Sequence, residues 1–168
     1  MVPYRDWQIT VDEYTVHVSP ITLMFVRLRA PVLNPHRFRF RIYKKSGFSW
    51  IGKLLGVQDI QIGDQDFDEK FIVQGHPRSL VTRLLVNRRI KDLMACQRDV
   101  LVEIRHDWRW FRKRLPEGVE EIHIRAGGTI YQTALVYELF ELFSTAIDEL
   151  CLLGLSAPAK PSPHEALR

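Results

Sequence analysis

The sequence predicts a two-layer α+β domain, in which a largely antiparallel sheet of about six strands carries a kinked helix pair and a long C-terminal helix. Three observations predict it. The first third of the chain alternates apolar and polar residues, the period of strands with one buried face. Arg78 to Gln97 has helical spacing interrupted by one phase slip. Thr129 to Leu153 is a long stretch whose polar residues, Glu138, Glu141, Thr145, Asp148 and Glu149, form a single stripe, so the rest of its circumference is apolar.

The strands follow in order. Tyr14, Val16 and Val18 face one way against Thr15, His17 and Ser19. Leu23 to Ala30 repeats the pattern, and Pro31 with Asn34-Pro35 is expected to end it, because proline donates no ladder bond. Arg37 to Lys44 sets Phe38, Phe40 and Ile42 against Arg37, Arg39, Arg41 and Tyr43. These three closely spaced segments read as a meander. Ser46 to Gly56 holds three glycines and reads as a loop with one helical turn at Ile51 to Leu55. A fourth strand is expected over Glu69 to Gln74.

Within Arg78 to Gln97 the apolar set Leu80, Val81, Leu84, Leu85 restarts at Ile90, Leu93, Met94. The slip near Asn87 predicts two short helices or one kinked one. Val100, Val102 and Ile104 mark a fifth strand, and Ile122, Ile124 and Ala126 a sixth, joined by a loop. Gly127-Gly128 closes the last strand, Thr129 is the expected cap of the long helix and Gly154 its stop. The domain is expected to span residues 1–155, with residues 156–168, rich in Pro, Ala and charge, as a disordered tail.

Composition bounds the function. With 168 residues, 46% hydrophobic and 26% charged, the chain can build a core without staples. Cys96 and Cys151 sit in apolar helical patterns and read as reduced core thiols, which fits a cytoplasmic, reducing compartment. Met1 to Trp7 has no basic segment followed by an apolar run, so no secretory signal is expected. The acids of the last helix argue against a transmembrane span. A net charge of +4 and a pI near 9.2 permit attraction to nucleic acid or anionic lipid without requiring it.

Local motifs give two candidate sites. Arg105 to Leu115 interleaves Trp108, Trp110 and Phe111 with Arg109, Arg112, Lys113 and Arg114, a mixture that can neutralise phosphates while rings stack on bases or enter a lipid headgroup layer. Alternation puts Arg37, Arg39 and Arg41 on one strand face. Together with the loop they would make one cationic surface, unless Glu120, Glu121 or helix acids neutralise them. The second candidate is the turn Asp64, Asp66, Asp68, whose alternate carboxylates invite a calcium-loop reading. That reading fails, because the sixth position is Glu69 where glycine is needed and the twelfth is Gly75 where a bidentate glutamate is needed.

Around that turn, Gly56, Gln58-Asp59, Gly63-Asp64, Phe67-Asp68, Phe71, Gly75 and Leu84-Leu85 resemble a pattern in bacterial proteins of an uncharacterised family. The resemblance covers Leu54 to Leu85 and implies no substrate, cofactor or catalytic residue. No phosphate-cradling loop, zinc-type histidine pair, nucleophile elbow or paired-cysteine motif is present. Glu103, Glu121 and His123 on neighbouring strands, or Asp64, Asp66 and Asp68 with a histidine, are examples of scattered residues that could assemble a reactive cluster. A helix-turn-helix using Arg88, Arg89 and Lys91 lacks the usual turn glycine. The expectation is a noncatalytic binding or interaction module without cofactor or metal, self-associating through the apolar surplus of the last helix. Nucleic-acid or anionic-membrane binding, and an enzyme built from scattered residues, are the alternatives.

Overall fold

A computed structural model describes residues 1–45, 59–105 and 118–159. The elements in order are β1 (Val2–Tyr4), β2 (Trp7–Val18), β3 (Ile21–Leu33), β4 (Arg39–Lys44), α1 (Gln65–Lys70), β5 (Phe71–His76), α2 (Arg78–Leu84), α3 (Arg88–Cys96), β6 (Leu101–Arg105), β7 (Val119–Gly127), α4 (Thr133–Leu152) and β8 (Ala157–Pro158). The architecture is α+β, as the sequence predicts, with more strands than the six expected. The sheet runs β1-β2-β3-β7-β6-β4-β5, with β8 on β3, and every pairing among the described residues is antiparallel.

Alternation assigns the faces. Val26, Leu28, Ala30 and Val32 of β3, Ile122, Ile124 and Ala126 of β7, Val102 and Ile104 of β6, and Phe40 and Ile42 of β4 form one apolar surface. Leu84, Ile90 and Met94 of the short helices and Leu139, Phe143, Ile147 and Leu150 of α4 bury against it. Burying one such side chain contributes roughly 1.5–3 kcal/mol, so this layer contact dominates the fold. Gly75 shows how closely α2 approaches the sheet. A Cβ there would lie 2.5 Å from the Arg39 carbonyl oxygen and 2.7 Å from Val81 Cγ2.

The helix pair is confirmed and its break has a cause. Asn87 caps α3, its side-chain oxygen accepting from the Arg89 and Ile90 amides, so the second helix starts in a new phase. Asn87 Nδ2 also donates to Glu149 of α4 at 2.8 Å.

Several expectations are corrected. The first three strands are not a meander, since β7 and β6 lie between β3 and β4. Asn34 turns the chain at that crossing, exchanging bonds with the Phe38 amide and carbonyl and meeting Glu120. Pro31 does not end β3. The β2 ladder stops at Thr10–Arg29, so a missing amide at Pro31 forfeits no bond to β2. Arg37 has φ 49° and precedes β4 rather than belonging to it. Glu69 and Lys70 are helical, and the fourth expected strand begins at Phe71. Thr129 does not cap the last helix. Its amide is taken by Gln132 Oε1 at 3.0 Å and the helix starts after Gln132. The boundary at residue 155 moves outward, because Ala157 and Pro158 pair with Leu33 and Val32, and Ser156 and Ala159 are buried. Cys96 and Cys151 are free but exposed, not core residues. The turn expected at Ile51 to Leu55 lies outside the described residues.

Candidate functional site

The face of the sheet turned away from the helices is polar, yet much of it is buried. It carries Asp12 and Tyr14 of β2, Arg27 and Arg29 of β3, Glu121, His123 and Arg125 of β7, Glu103 and Arg105 of β6, and Arg41 of β4, matched across the ladders. At its centre the His123 and Glu103 side chains are 1% and 2% exposed, with Nδ1 3.2 Å from Oε1. The ring is poorly aligned for a hydrogen bond, and neither of its nitrogens has a hydrogen-bond partner. Glu103 also takes Arg41 Nε at 2.7 Å and contacts Arg105. On the neighbouring strands Arg27 grips Asp12 with two bonds of 2.8 and 2.7 Å, and Arg29 adds a third.

Environment separates the titrations. Burial alone would raise Glu103, but the adjacent His123, Arg105 and Arg41 outweigh it and hold the carboxyl well below the usual range. Burial pushes His123 down to about 4, so the ring is neutral at pH 7. Burial pushes Glu121 up to about 7, because Arg29 at 3.7 Å only partly offsets the lost solvation. Perturbed groups of this kind mark candidate active sites: Glu103 faces His123 across the β6–β7 ladder, while Glu121, two residues along β7, is approached by Arg29. Their burial, however, leaves no reacting atom exposed to a substrate in this arrangement. The arrangement pairs charges and pins strand register.

The predicted cationic surface is placed only in part. Arg41 is spent on buried Glu103, Arg39 lies 3.9 Å from Glu120, and Arg37 sits in the preceding turn. Trp108, Arg109, Trp110, Arg112, Lys113 and Arg114 lie outside the described residues. The acidic turn is local architecture: Asp64 caps α1 and meets Lys91, while Asp68 accepts the Ile62 and Gly63 amides at 3.0 Å each. Asp66 is exposed on the first turn of α1. Among the described residues no group of three His, Cys, Asp or Glu could hold a metal ion.

An open groove of about 510 Å³ lies at one end of the sheet, lined by Met24, Cys96, Arg98, Asp99, Gln132 and Glu138 among others. None of the perturbed groups reaches it. The apolar surplus of α4 is partly used within the chain, since Tyr4 meets Phe140 edge-on at 5.9 Å and donates to Asp148 at 2.9 Å. Tyr137 and Leu152 stay exposed. No helix among the described residues is long and apolar enough to cross a membrane.

The remaining feature was not visible from spacing. β2 pairs with β1 only over Trp7–Ile9 and with β3 over Thr10–Val18. Among the described residues, nothing pairs with the outer edge of Thr10–Val18. The Met24 carbonyl accepts the Gly128 amide on the β7 side of β3, so the next residue, Phe25, turns its backbone groups to its partner Tyr14 of β2. Alternation then points the amides and carbonyls of Val11, Glu13, Thr15 and His17 outward. The opposite end of the sheet differs, because the Ile60 amide already donates to the Val73 carbonyl of β5 at 2.7 Å.

Compared with models of protein families, with curated proteins and with solved structures, the chain matches none.

Proposed function

We propose that this protein is a noncatalytic interaction module that binds by accepting a further strand on the outer edge of β2. The observation that carries the reading is the row of outward backbone groups at Val11, Glu13, Thr15 and His17. An edge of this kind is a template for strand addition, and proteins that must avoid it place proline, lysine or a bulge there. Thr10–Val18 contains no proline, lysine or glycine. Its two acids are turned to the chain's own use: Asp12 is bound by Arg27 and Arg29, and Glu13 Oε2 accepts the Ile130 amide at 2.8 Å. Main-chain bonds would supply affinity, and the alternating side chains selectivity.

The test selects peptides from a random library against the whole chain and maps them by amide hydrogen exchange. Selected peptides should protect Val11, Glu13, Thr15 and His17, and should fail to bind a Thr15→Pro variant. That variant keeps the β2–β3 ladder, because the Thr15 amide points away from β3. Peptides that bind T15P equally well, or that protect only the groove around Met24 and Asp99, would remove the reading.

A further inference from the structure

We infer that the strand accepted on this edge is β2 of a second copy of the chain, antiparallel, with the twofold axis passing through Thr15. The inference rests on the strand-accepting reading and adds the partner and the register.

Geometry limits the choices. Outward residues of one copy must exchange bonds with outward residues of the other, so Val11, Glu13, Thr15 and His17 can pair only among themselves or with equivalent positions beyond the strand. A twofold axis perpendicular to the sheet preserves its faces, so it must pass through a residue facing its own copy. With the axis at Glu13, two carboxylates stand directly opposite, a destabilising arrangement. With the axis at His17, Glu13 is carried beyond the end of β2 and only Val16, His17 and Val18 face the partner strand. With the axis at Tyr14, Glu13 faces Thr15 and His17 faces Val11, so the acid and the base of the strand do not meet. With the axis at Val16, His17 faces Thr15 and Glu13 is carried to Ser19, past the end of β2, so again the acid and the base do not meet.

With the axis at Thr15, Glu13 faces His17 twice, Tyr14 faces Val16 twice, and Thr15 faces Thr15. These are acid–base, aromatic–β-branched and Thr–Thr pairs, the combinations that stabilise antiparallel neighbours. The atoms are available. Glu13 Oε2 takes the Ile130 amide and leaves Oε1, while His17 Nδ1 meets Thr22 Oγ1 at 3.1 Å and leaves Nε2. The strand is thus complementary to itself in one register.

Sedimentation velocity on the full chain, from micromolar to millimolar concentration, should show a species at twice 19.7 kDa. His17→Glu should weaken it about tenfold or more, because two attractive pairs become two repulsive ones, while His17→Lys should retain it. T15P should abolish it. Register is read by cross-linking in a C96S/C151S background, where Thr15→Cys should form an intermolecular disulfide and Tyr14→Cys should not. Facing Cα atoms in such a bonded pair lie about 5.5 Å apart, within disulfide range. Cross-linking of Y14C instead of T15C overturns the register. A wild-type chain that stays monomeric throughout overturns self-pairing; if selected peptides still protect the edge amides, the strand-accepting reading stands alone, and if they do not, both fall.

Discussion

His123 Nδ1 stands 3.2 Å from Glu103 Oε1, both side chains almost fully buried, at the middle of a sheet face where Arg41 and Arg105 approach the same carboxylate. This is a closed charge cluster, and closed clusters are costly to open. Breaking a buried pair by removing one partner leaves an uncompensated charge.

Glu103→Ala is therefore expected to destabilise the chain by about 3–5 kcal/mol. Urea unfolding checks it, through a lower midpoint at an unchanged slope. A loss within experimental error would mean that the arginines are satisfied elsewhere.

The pH dependence has opposing parts. His123 is held down to about 4 from its usual 6.5, so its contribution is present above pH 6.5 and is lost as pH falls through about 4. Glu103, also held down, acts in the same sense from pH 4.5 downward. Glu121 is raised from 4.5 to about 7, so its contribution is complete below pH 4.5 and is lost as pH rises through about 7. Glu121→Gln removes only the last. The stability of E121Q relative to wild type should climb across pH 4.5 to 7, by about 3 kcal/mol at most. Urea midpoints of both proteins across that window test it, and parallel curves would refute it.

Gly75→Ala and Gly63→Ala should separate two costs. At Gly75 a Cβ meets the Arg39 carbonyl oxygen and Val81 at under 3 Å, and such overpacking costs about 1–3 kcal/mol or more. At Gly63 nothing lies within 4 Å and only the φ of +85° is strained, a cost of about 1–2 kcal/mol. Thermal melts should rank G75A as the less stable.

Asn87→Ala should cost about 1–2 kcal/mol, from the loss of the α3 cap together with the bond to Glu149. Glu149→Ala should cost less, since it leaves the cap intact. Equal losses would assign the effect to the α3–α4 contact alone.

The elements themselves were readable in the residues. Period two in Leu23 to Ala30 and Arg37 to Lys44, the phase slip at Asn87 and the polar stripe of the last helix each follow from which side chains must leave water, a local property of the chain. Sheet order is not local. Alternation says which face of β4 is buried but not that β6 lies beside it, and so the meander was wrong. The Asp64 cap and the late start of α4 turned on single side-chain bonds that compete with an equally good local alternative.

The candidate sites divide the same way. Glu103, Glu121 and His123 could be picked out as polar residues on neighbouring strands. Their burial and their arginine partners could not, because Asp12, Arg27, Arg29 and Arg41 come from strands distant in sequence. The open edge of β2 depends wholly on order: Thr10–Val18 looks like any amphipathic strand until β3 is seen to occupy only one side of it. By itself the sequence determined what each segment is and which face it hides, since those follow from side-chain solvation. Tertiary structure decided who neighbours whom, because backbone hydrogen bonds are the same for every residue and carry no address.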